Sequence, residues 1–399
     1  MKSYRAAALV RGLCIELTGK PQTVVSQKWE GGACPASALK LEAGSCESEE
    51  SAAAFVRAAY EEWKKSNSSL LPSCAVLTDN GGLETVFWID NDIDSARKRL
   101  TEKNDSPGKE TPAVTGEFVS TAERADVVKN RVAIVTGGAQ GIGEEIVRNL
   151  AAAGALVFIA DLNFEGAQKL ADNINSTEGR TAALALEVNV SSEESVESMF
   201  ETVANTAGGF DLCVSNAGVL KAGSVLEQEL SDFKFVTDIN YTAFFLVSKY
   251  AGRLLRIQHL TAPQWKTDII QVNSKSGLEG SNKNGAYAGG KFGGLGLVAS
   301  FAMELIEYNI KVNAVCPGNF LDGPLWSHPE KGLFTQYLRT GKVPGAKSIA
   351  DVRAFYESKV PMKRGCTGKD LVRAIYYIVE QQYETGQAVP VTGGQVMLH

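Results

Sequence analysis

The sequence has very little histidine and no long apolar run. Only three histidines occur in 399 residues, His259, His328 and His399, so a metal site built from several histidines has little material. Every uninterrupted apolar stretch is shorter than the roughly eighteen residues that a transmembrane helix needs. We therefore expect neither a histidine-rich metal centre nor a membrane span.

Paired cysteines and an excess of positive charge are also missing. Seven cysteines are scattered without a C-x-x-C pair, which favours reduced thiols over a disulfide framework. The net charge of -6 argues against a general binder of nucleic acid or anionic membranes. The start, MKSYRAAALVRGLCIE, has an apolar run that Arg11 and Glu16 interrupt, so it does not predict a secretion signal. The expectation is a cytoplasmic protein.

Residues 129–399 alternate strand-like and helix-like segments. The strand-like segments are RVAIVT, ALVFIAD, TAALALEV, DLCVSN, DIIQVNS, IKVNAVCPG and AVPVT. They are continuous apolar runs rather than alternating ones, as in strands that are covered on both faces. This pattern predicts an α/β fold with a Rossmann-type, doubly wound parallel sheet of seven strands.

Residues 1–104 predict a small additional α+β region. SAAAFVRAAYEEWKK indicates an amphipathic helix with Phe55, Ala59 and Trp63 on one stripe, and CAVLT and ETVFWI flank DNGG, a hairpin signal. Residues 105–128 have the composition of a linker. The region predicts no function; an interaction module and the remnant of a fused enzyme both stay open. An active class II aldolase is excluded, because no histidine precedes His259 to serve its metal site.

A glycine-rich turn, TGGAQGIG (136–143), follows the first strand of the dehydrogenase-like part and opens a helix. Glycine allows a tight turn and lets a pyrophosphate approach the helix N-terminus closely. The alternative is an ordinary strand–helix turn. The residues predicted to contact a dinucleotide here are Gly137, Gln140, Gly141, Ile142 and Gly143.

Asp161 ends the second strand and bears on the choice of coenzyme. A carboxylate at this place can accept hydrogen bonds from both adenosine ribose hydroxyls and repels a 2′-phosphate. Neither Gln140 nor Leu162 supplies a cation that would reverse this preference. The sequence therefore favours NAD over NADP, with helix capping as the alternative role of Asp161.

Tyr287 and Lys291 lie four residues apart in GAYAGGKFGGLGL, a spacing that places them on one helix face. An ammonium favours the phenolate and lowers the pKa of a tyrosine, so Tyr287 is predicted to exchange a proton with an alcohol or carbonyl. Most tyrosine–lysine pairs at this spacing are plain surface contacts. The prediction of a catalytic pair therefore depends on the other residues found near it. Ser274 ends a strand thirteen residues earlier, Asn216-Ala217-Gly218 ends another, and Asn240 lies between them.

TGGAQGIG, SNAG, Ser274 and YAGGK, in this order and at these distances, resemble the short-chain dehydrogenase/reductases over residues 129–399. The resemblance implies that Tyr287 is the proton donor and acceptor and that Lys291 also holds the nicotinamide ribose. It further implies that Ser274 binds the substrate oxygen and that Asn240 holds a water in a proton relay.

The same resemblance implies further coenzyme contacts. The family commonly has aspartate at position 189 and a threonine a few residues after Gly318; this chain has neither. The Asn319 backbone or side chain is the expected substitute at the nicotinamide carboxamide. The implied contacts are Asn189 and Val190 at the adenine, and Asn216, Ala217, Gly218, Pro317, Gly318 and Asn319.

Within the family, NSKSG, VPMKRGC and VTGGQVM resemble members that interconvert D-sorbitol 6-phosphate and D-fructose 6-phosphate with NAD. Lys221 and Lys275 are cations near the expected cleft, either phosphate ligands or solvated surface charges. Residues 319–365 form an insertion that carries Trp326, Phe334, Tyr337, Phe355 and Tyr356. It is predicted as a lid over the substrate, with core packing of the aromatic side chains as the alternative.

Two other functions stay open: a dehydrogenase of another polyol, sugar or sugar phosphate, and a non-catalytic NAD sensor or scaffold. The family resemblance also implies a homodimer or homotetramer formed through the long helices. Glycine costs about 0.5–1 kcal/mol in a helix relative to alanine. The five glycines after Tyr287 are therefore predicted to admit close neighbours, either the coenzyme or a partner helix.

Overall fold

The computed structural model describes residues 2–29, 37–42, 48–67, 69–79, 82–102, 124–330, 332–339, 341 and 343–397. The helices are α1 (Ser3–Thr18), α2 (Glu49–Ser66), α3 (Ile93–Glu102), α4 (Gly141–Ala152), α5 (Phe164–Glu178), α6 (Glu193–Ala207), α7 (Leu230–Thr237), α8 (Ala243–His259), α9 (Gly285–Leu305), α10 (Pro324–Ser327), α11 (Leu333–Arg339), α12 (Ile349–Ser358) and α13 (Gly368–Glu380). The strands are β1 (Thr23–Lys28), β2 (Leu39–Glu42), β3 (Cys74–Asp79), β4 (Gly82–Asp90), β5 (Val132–Thr136), β6 (Leu156–Asp161), β7 (Ala183–Glu187), β8 (Leu212–Ser215), β9 (Thr267–Val272), β10 (Ile310–Pro317) and β11 (Ala388–Val391).

A seven-stranded sheet forms the centre of the larger part, in the order β11-β10-β9-β8-β5-β6-β7. All of its neighbouring strands pair in parallel. Strands β5 and β10 are buried along their whole length, as their continuous apolar sequences predict. The Rossmann-type fold is confirmed. The strand order reverses between β5 and β8, and ligands bind at such a switch point in open α/β sheets.

Helices cover both faces of this sheet. On one face α4, α5 and α13 bury apolar stripes such as Ile146 and Leu150 in a common core. On the other face α6, α8 and α9 pack on the strands, and α1 of the N-terminal region joins the same core through Leu9 and Leu13. The carboxyl ends of the strands therefore open at one edge between two helical layers.

The N-terminal region has a four-stranded sheet in the order β1-β4-β3-β2. Strands β3 and β4 pair antiparallel, as the hairpin signal predicts, and residues 80–81 of its turn lie outside the described residues. The predicted stripe of α2 is shifted, because Val56 and Tyr60 are buried whereas Phe55, Ala59 and Trp63 are half-buried.

The apolar run at the start of the chain forms α1, a helix that the sequence analysis did not predict. Residues 103–123, which include residues 105–123 of the predicted linker, lie outside the described residues, as do Cys34 and Cys46. Residues Arg124–Val128 form a 3₁₀ helix with Val128 buried, and Arg124 Nε lies 2.8 Å from Glu380 Oε2 of α13. Among the described helices, none is both long and apolar enough to cross a membrane.

The insertion predicted as a lid contains the short helices α10, α11 and α12. Its aromatic side chains form a core of their own: the ring of Trp326 lies 5.2 Å from that of Phe334 and 4.8 Å from that of Tyr356, between centroids. Tyr337 stacks on Tyr356, and Phe355 contacts the Tyr356 ring edge-on. These aromatic side chains therefore pack in a core, as the alternative interpretation predicts. A role of the segment as a lid over the substrate stays a prediction.

Candidate active site

The glycine-rich turn after β5 has the geometry of a phosphate-binding loop. Gly137 has φ +62°, a left-handed conformation, and a Cβ added there would lie 2.8 Å from Ala217 Cα. A Cβ on Gly143 would lie 2.0 Å from the Gly137 carbonyl oxygen. Only glycine fits these two positions, and the resulting concave backbone at the start of α4 suits a pyrophosphate.

Asn216 at the end of β8 fastens this loop. Its side-chain Nδ2 donates to the carbonyl oxygens of Thr136 (3.0 Å) and Gly137 (2.9 Å). The Thr136 hydroxyl accepts from the backbone N–H groups of Asn216 (3.0 Å) and Ala217 (3.1 Å). The sequence analysis missed Thr136, although its place at the end of a strand before two glycines was a usable signal. These bonds join β5 and β8 across the switch point.

Asp161 lies at the end of β6 beside the loop. One carboxylate oxygen accepts from Ala139 N and the other from Asn163 N, each at 2.9 Å. The carboxylate is therefore fixed next to the glycine-rich turn, where an adenosine ribose would lie in a fold of this type. Asn163, rather than Asp161, caps α5.

The other residues predicted to contact the coenzyme near the glycine-rich turn differ in burial and in hydrogen bonding. Gln140 is the exposed N-cap residue of α4 and makes no side-chain cap bond, and Ile142 is half-buried in the first turn. Val190 is buried beside the end of β7. The Asn189 side-chain oxygen accepts a hydrogen bond from Ser191 N at 3.1 Å, so it stabilises the turn in which it lies.

Asn240 lies in a π-helical segment, Asp238–Thr242, between α7 and α8. Its Oδ1 accepts from Val219 N (3.1 Å) and its Nδ2 donates to Val219 O (2.7 Å). The buried side-chain amide thus holds the loop after the SNAG strand. Single π-helical turns are rare and are frequent at functional sites.

Ser274, Tyr287 and Lys291 meet at the carboxyl end of β9. Ser274 and Tyr287 share a side-chain hydrogen bond. Lys291 is buried, its Nζ donates to Val272 O at 2.8 Å, and it lies 5.6 Å from the centroid of the Tyr287 ring. The helix α9 therefore presents both side chains towards the strand end, as the four-residue spacing predicts.

The pKa of Tyr287 moves in the direction opposite to the prediction. Burial raises it above its ordinary value, and the hydrogen bond with Ser274 opposes that effect only in part. Burial also lowers the pKa of Lys291 from 10.5 to about 8. The expectation that the ammonium lowers the pKa of Tyr287 was wrong for the protein without ligands, because desolvation dominates at this depth.

Asn273, just before Ser274, is a positioning residue that the sequence analysis missed. Its buried Nδ2 donates to Lys291 O (2.9 Å) and to Gln271 Oε1 (2.8 Å). Its Oδ1 accepts from Ser274 N at 2.8 Å. One side chain thus connects the end of β9 to the turn of α9 that carries Lys291.

The turn after β10 is held by the last strand. Gly318 N donates to Val391 O (2.9 Å), and Asn319 N donates to Gln395 Oε1 (3.2 Å). A Cβ on Gly318 would lie 2.6 Å from Gln395 Oε1. The Asn319 backbone N–H, one of the two predicted contacts to a carboxamide, is therefore bound within the chain, and Pro317 ends β10 directly before this turn.

The glycines of α9 differ in what lies next to them. A Cβ on Gly293 would lie 2.8 Å from the Tyr241 ring, and one on Gly294 would lie 2.5 Å from Gln271 Nε2. Gly290 faces Asn240 in the same way at 3.4 Å. Gly290, Gly293 and Gly294 therefore do admit close neighbours, as predicted, but these neighbours are side chains of the same chain rather than the coenzyme or a partner helix. Gly289 and Gly296 face open space.

The two lysines predicted to bind the substrate are both near carboxylates. Lys221 Nζ lies 2.5 Å from Asp232 Oδ1, and Lys275 Nζ lies 3.5 Å from Glu279 Oε1. Lys283, which the sequence analysis did not single out, lies four residues before Tyr287 and has φ +55°. Its carbonyl accepts from Gly223 N at 2.9 Å, so its loop is joined to the loop of Lys221.

The fold and this arrangement define an oxidoreductase of the α/β type. Residues 131–328 match the family model of the short chain dehydrogenases, and the chain belongs to this family. Its members typically use a nicotinamide coenzyme.

The chain is similar to the sorbitol-6-phosphate 2-dehydrogenase of Escherichia coli (strain K12). The two are 35% identical over 271 residues, which make up 67% of this chain and 99% of that protein. The crystal structure of sorbitol-6-phosphate 2-dehydrogenase SrlD from Erwinia amylovora is 38% identical, with a TM-score of 0.61 over 67% of this chain and 100% of that one. An uncharacterized oxidoreductase of Bacillus subtilis (strain 168), YuxG, is 36% identical over 66% of this chain but only 37% of its own length.

Proposed function

We propose that the protein is an NAD-dependent dehydrogenase that interconverts D-sorbitol 6-phosphate and D-fructose 6-phosphate. The observation that carries the proposal is the joint presence of Ser274, Tyr287 and Lys291 at one strand end beside a glycine cradle that fits a dinucleotide. The similarity to two sorbitol-6-phosphate 2-dehydrogenases supports the choice of substrate. A dehydrogenase for another polyol, sugar or sugar phosphate is the alternative.

The protein residues would handle the proton and orient the substrate. The nicotinamide, when bound, supplies or accepts the hydride. Ser274 would donate a hydrogen bond to the substrate oxygen, and Tyr287 would take the hydroxyl proton during oxidation or return it during reduction. Asn273 would fix the positions of Ser274 and Lys291 relative to each other through its hydrogen bonds to Ser274 N and Lys291 O. Asn240 would hold the loop after β8 through its hydrogen bond with Val219 N. A water relay at Asn240 stays a proposal, because its side-chain amide already binds Val219.

The preference for NAD rests on Asp161. Its carboxylate, held by two backbone N–H groups, would bind the ribose hydroxyls and repel a 2′-phosphate. We expect Asp161→Asn to lower kcat/KM with NAD and raise it with NADP, so that the ratio of the two falls at least about tenfold, which corresponds to about 1.4 kcal/mol. An unchanged ratio would exclude this role, and Asp172→Asn on exposed α5 is the matched control.

The phosphate of the substrate would be bound at the joined loops of Lys221 and Lys283. Within the described residues Lys283 has no carboxylate near its ammonium, whereas Asp232 partly neutralises Lys221. A strained left-handed conformation at a non-glycine residue is common at ligand sites. We therefore expect Lys283 to supply more of the attraction for a phosphate than Lys221.

An NAD reduction assay over polyols and polyol phosphates tests the substrate. The wild-type protein is expected to prefer sorbitol 6-phosphate to sorbitol; the reverse preference refutes the phosphorylated substrate. Lys283→Met and Lys221→Ala are expected to raise the KM for sorbitol 6-phosphate about tenfold or more and that for sorbitol little. Equal effects on both substrates would remove these lysines from the site while leaving the proposed activity intact.

A second copy of the chain is the proposed partner. The helices α7 and α9 contact each other and expose apolar side chains: Leu230 is 65% exposed, Phe292 47% and Met303 83%. Gly296 lies between Phe292 and Met303 on α9 with nothing in front of it, which allows close approach of another helix. Light scattering of the purified protein tests this proposal, and a monomer at micromolar concentration would refute it.

A further inference from the structure

The groove between α6 and α8 is filled by α1 of the N-terminal region. Leu9 and Leu13 of α1 are buried in the same core as Phe200 of α6 and Leu254 of α8. At Gly12 the helices approach so closely that a Cβ would lie 2.2 Å from Thr261 Oγ1 and 2.5 Å from Gln258 O. The Thr261 hydroxyl donates to Leu9 O at 2.8 Å.

The side chain of Arg11 on α1 is fully buried between the N-terminal region and the larger part. Its Nη2 lies 2.7 Å from Asp211 Oδ2, and its Nη1 donates to Gln258 Oε1 at 3.2 Å and Phe210 O at 3.3 Å. Its Nε donates to Gln22 O at 2.8 Å. The guanidinium therefore binds the N-terminal region and the dehydrogenase fold at the same time.

Asp211, the partner of Arg11, is also fully buried and lies directly before β8. Its Oδ2 accepts from Val132 N of β5 at 2.8 Å, and its Oδ1 accepts from Trp265 Nε1 at 3.0 Å. Burial alone raises the pKa of a carboxyl group, but the positive charges of Arg11 and Arg131 hold the pKa of Asp211 below its ordinary value. Each side-chain nitrogen of Arg11 and each carboxylate oxygen of Asp211 has a hydrogen-bond partner. Loss of one partner of such a buried pair is strongly destabilising, because it leaves the other charge buried without compensation.

Three further contacts tie the rim of the N-terminal region to the larger part. Asp94 of α3 accepts from the backbone N–H of Thr181 at 2.8 Å. Ser26 of β1 donates to Asn205 O of α6 at 2.6 Å, and Arg57 of α2 donates to Thr261 O at 3.0 Å. The contacts come from two helices and one strand of the N-terminal region and reach three separate segments of the larger part.

We propose that the N-terminal region is an integral layer of the dehydrogenase unit, docked in the α6–α8 groove and pinned by Arg11, and that the two parts unfold as one cooperative unit. Separation would expose the apolar side of α1 together with the groove, and it would leave the Asp211 charge without its main counter-ion.

A cleavable version of the full chain tests the docking directly. A protease site is inserted within residues 103–123, and the purified protein is cut and passed over a size-exclusion column. The two fragments are expected to elute together at low salt and at 0.5 M salt, and calorimetry of the uncut protein is expected to show one transition. Fragments that elute apart, or two transitions in the uncut protein, would overturn the proposal.

The variant Arg11→Met tests whether the buried Arg11–Asp211 pair stabilises the docking. Arg5→Met on the same helix is the control, because Arg5 is partly exposed and its Nη1 lies 3.5 Å from Glu49 Oε1. We expect Arg11→Met to lower the thermal midpoint by roughly 5 °C or more and Arg5→Met to lower it by less than about 2 °C. The double variant Arg11→Met/Asp211→Asn is expected to recover part of the loss, because no buried charge is then left alone. Equal small shifts for Arg11→Met and Arg5→Met, or strictly additive effects in the double variant, would refute the role of Arg11.

Discussion

Lys291 should make the protein less stable at neutral pH than a neutral side chain of similar size. Its pKa falls from 10.5 to about 8 in the fold because burial penalises the ammonium. With about 1.36 kcal/mol for each pKa unit, the folded state loses about 3 kcal/mol at pH 7 and only about 1 kcal/mol at pH 10. The sign follows from proton binding: between pH 8 and 10.5 the unfolded chain holds the proton that the folded chain has released, so stability rises with pH.

The variant Lys291→Met removes this titration while keeping a flexible side chain of similar length. It also loses the hydrogen bond from Nζ to Val272 O, worth about 1 kcal/mol net. We therefore expect the variant to be more stable than the wild-type protein by about 2 kcal/mol at pH 7. The difference should shrink by about 2 kcal/mol by pH 10, while dehydrogenase activity is lost.

Urea unfolding of both proteins without coenzyme, at several pH values from 7 to 10, measures this difference. All other groups that titrate in this range contribute to both proteins, so their effect cancels in the difference between the two free energies of unfolding. A constant difference across the pH range would show that Lys291 is not neutralised by burial, and a variant less stable at pH 7 would show that the Val272 bond outweighs desolvation. The expected result would mean that a residue needed for activity costs stability.

Four more variants test the site and its surroundings. Tyr287→Phe is expected to leave NADH binding, measured by fluorescence, nearly unchanged and to reduce turnover at least about 100-fold; retained turnover contradicts its role in proton transfer. Asn273→Ala is expected to lower stability by about 2 kcal/mol and to reduce kcat more than it raises KM, since it releases the backbone of the catalytic turn; a pure stability loss with unchanged kcat argues against positioning. Gly293→Leu is expected to destabilise the chain by about 1–3 kcal/mol through Tyr241, whereas Gly296→Leu should leave chain stability intact and weaken self-association, and the opposite pattern would refute the assignment of these two glycines.

The sequence predicted the large sheet well because its strands carry their own signal. Strands β5 and β10 are continuous apolar runs, and such runs predict burial on both faces without any knowledge of their neighbours. The glycines at 137 and 143 were identified for a local reason, since backbone conformation and close approach both exclude a Cβ there.

The missed features depend on contacts between distant segments. Thr136 and Asn273 act through hydrogen bonds to other strands and helices. The place of Thr136 before two glycines was a usable signal, whereas no local pattern indicates the role of Asn273. The direction of the Tyr287 pKa was predicted wrongly because spacing reveals a nearby lysine but not the depth of burial. Arg11 was interpreted as an interruption of an apolar run, although it is a buried residue with a partner 200 positions away.

The amino-acid sequence by itself determined the α/β pattern, the glycine-rich turn, and the order of Ser274, Tyr287 and Lys291, because periodicity and local backbone requirements are written in neighbouring residues. The tertiary structure alone decided which faces of α9 are open, that Lys221 and Lys275 lie near carboxylates, and how the N-terminal region docks. Those properties depend on desolvation and on pairing between segments far apart in the chain. The free energy of a charge such as Arg11 is therefore set by its surroundings in the folded protein rather than by its neighbours in sequence.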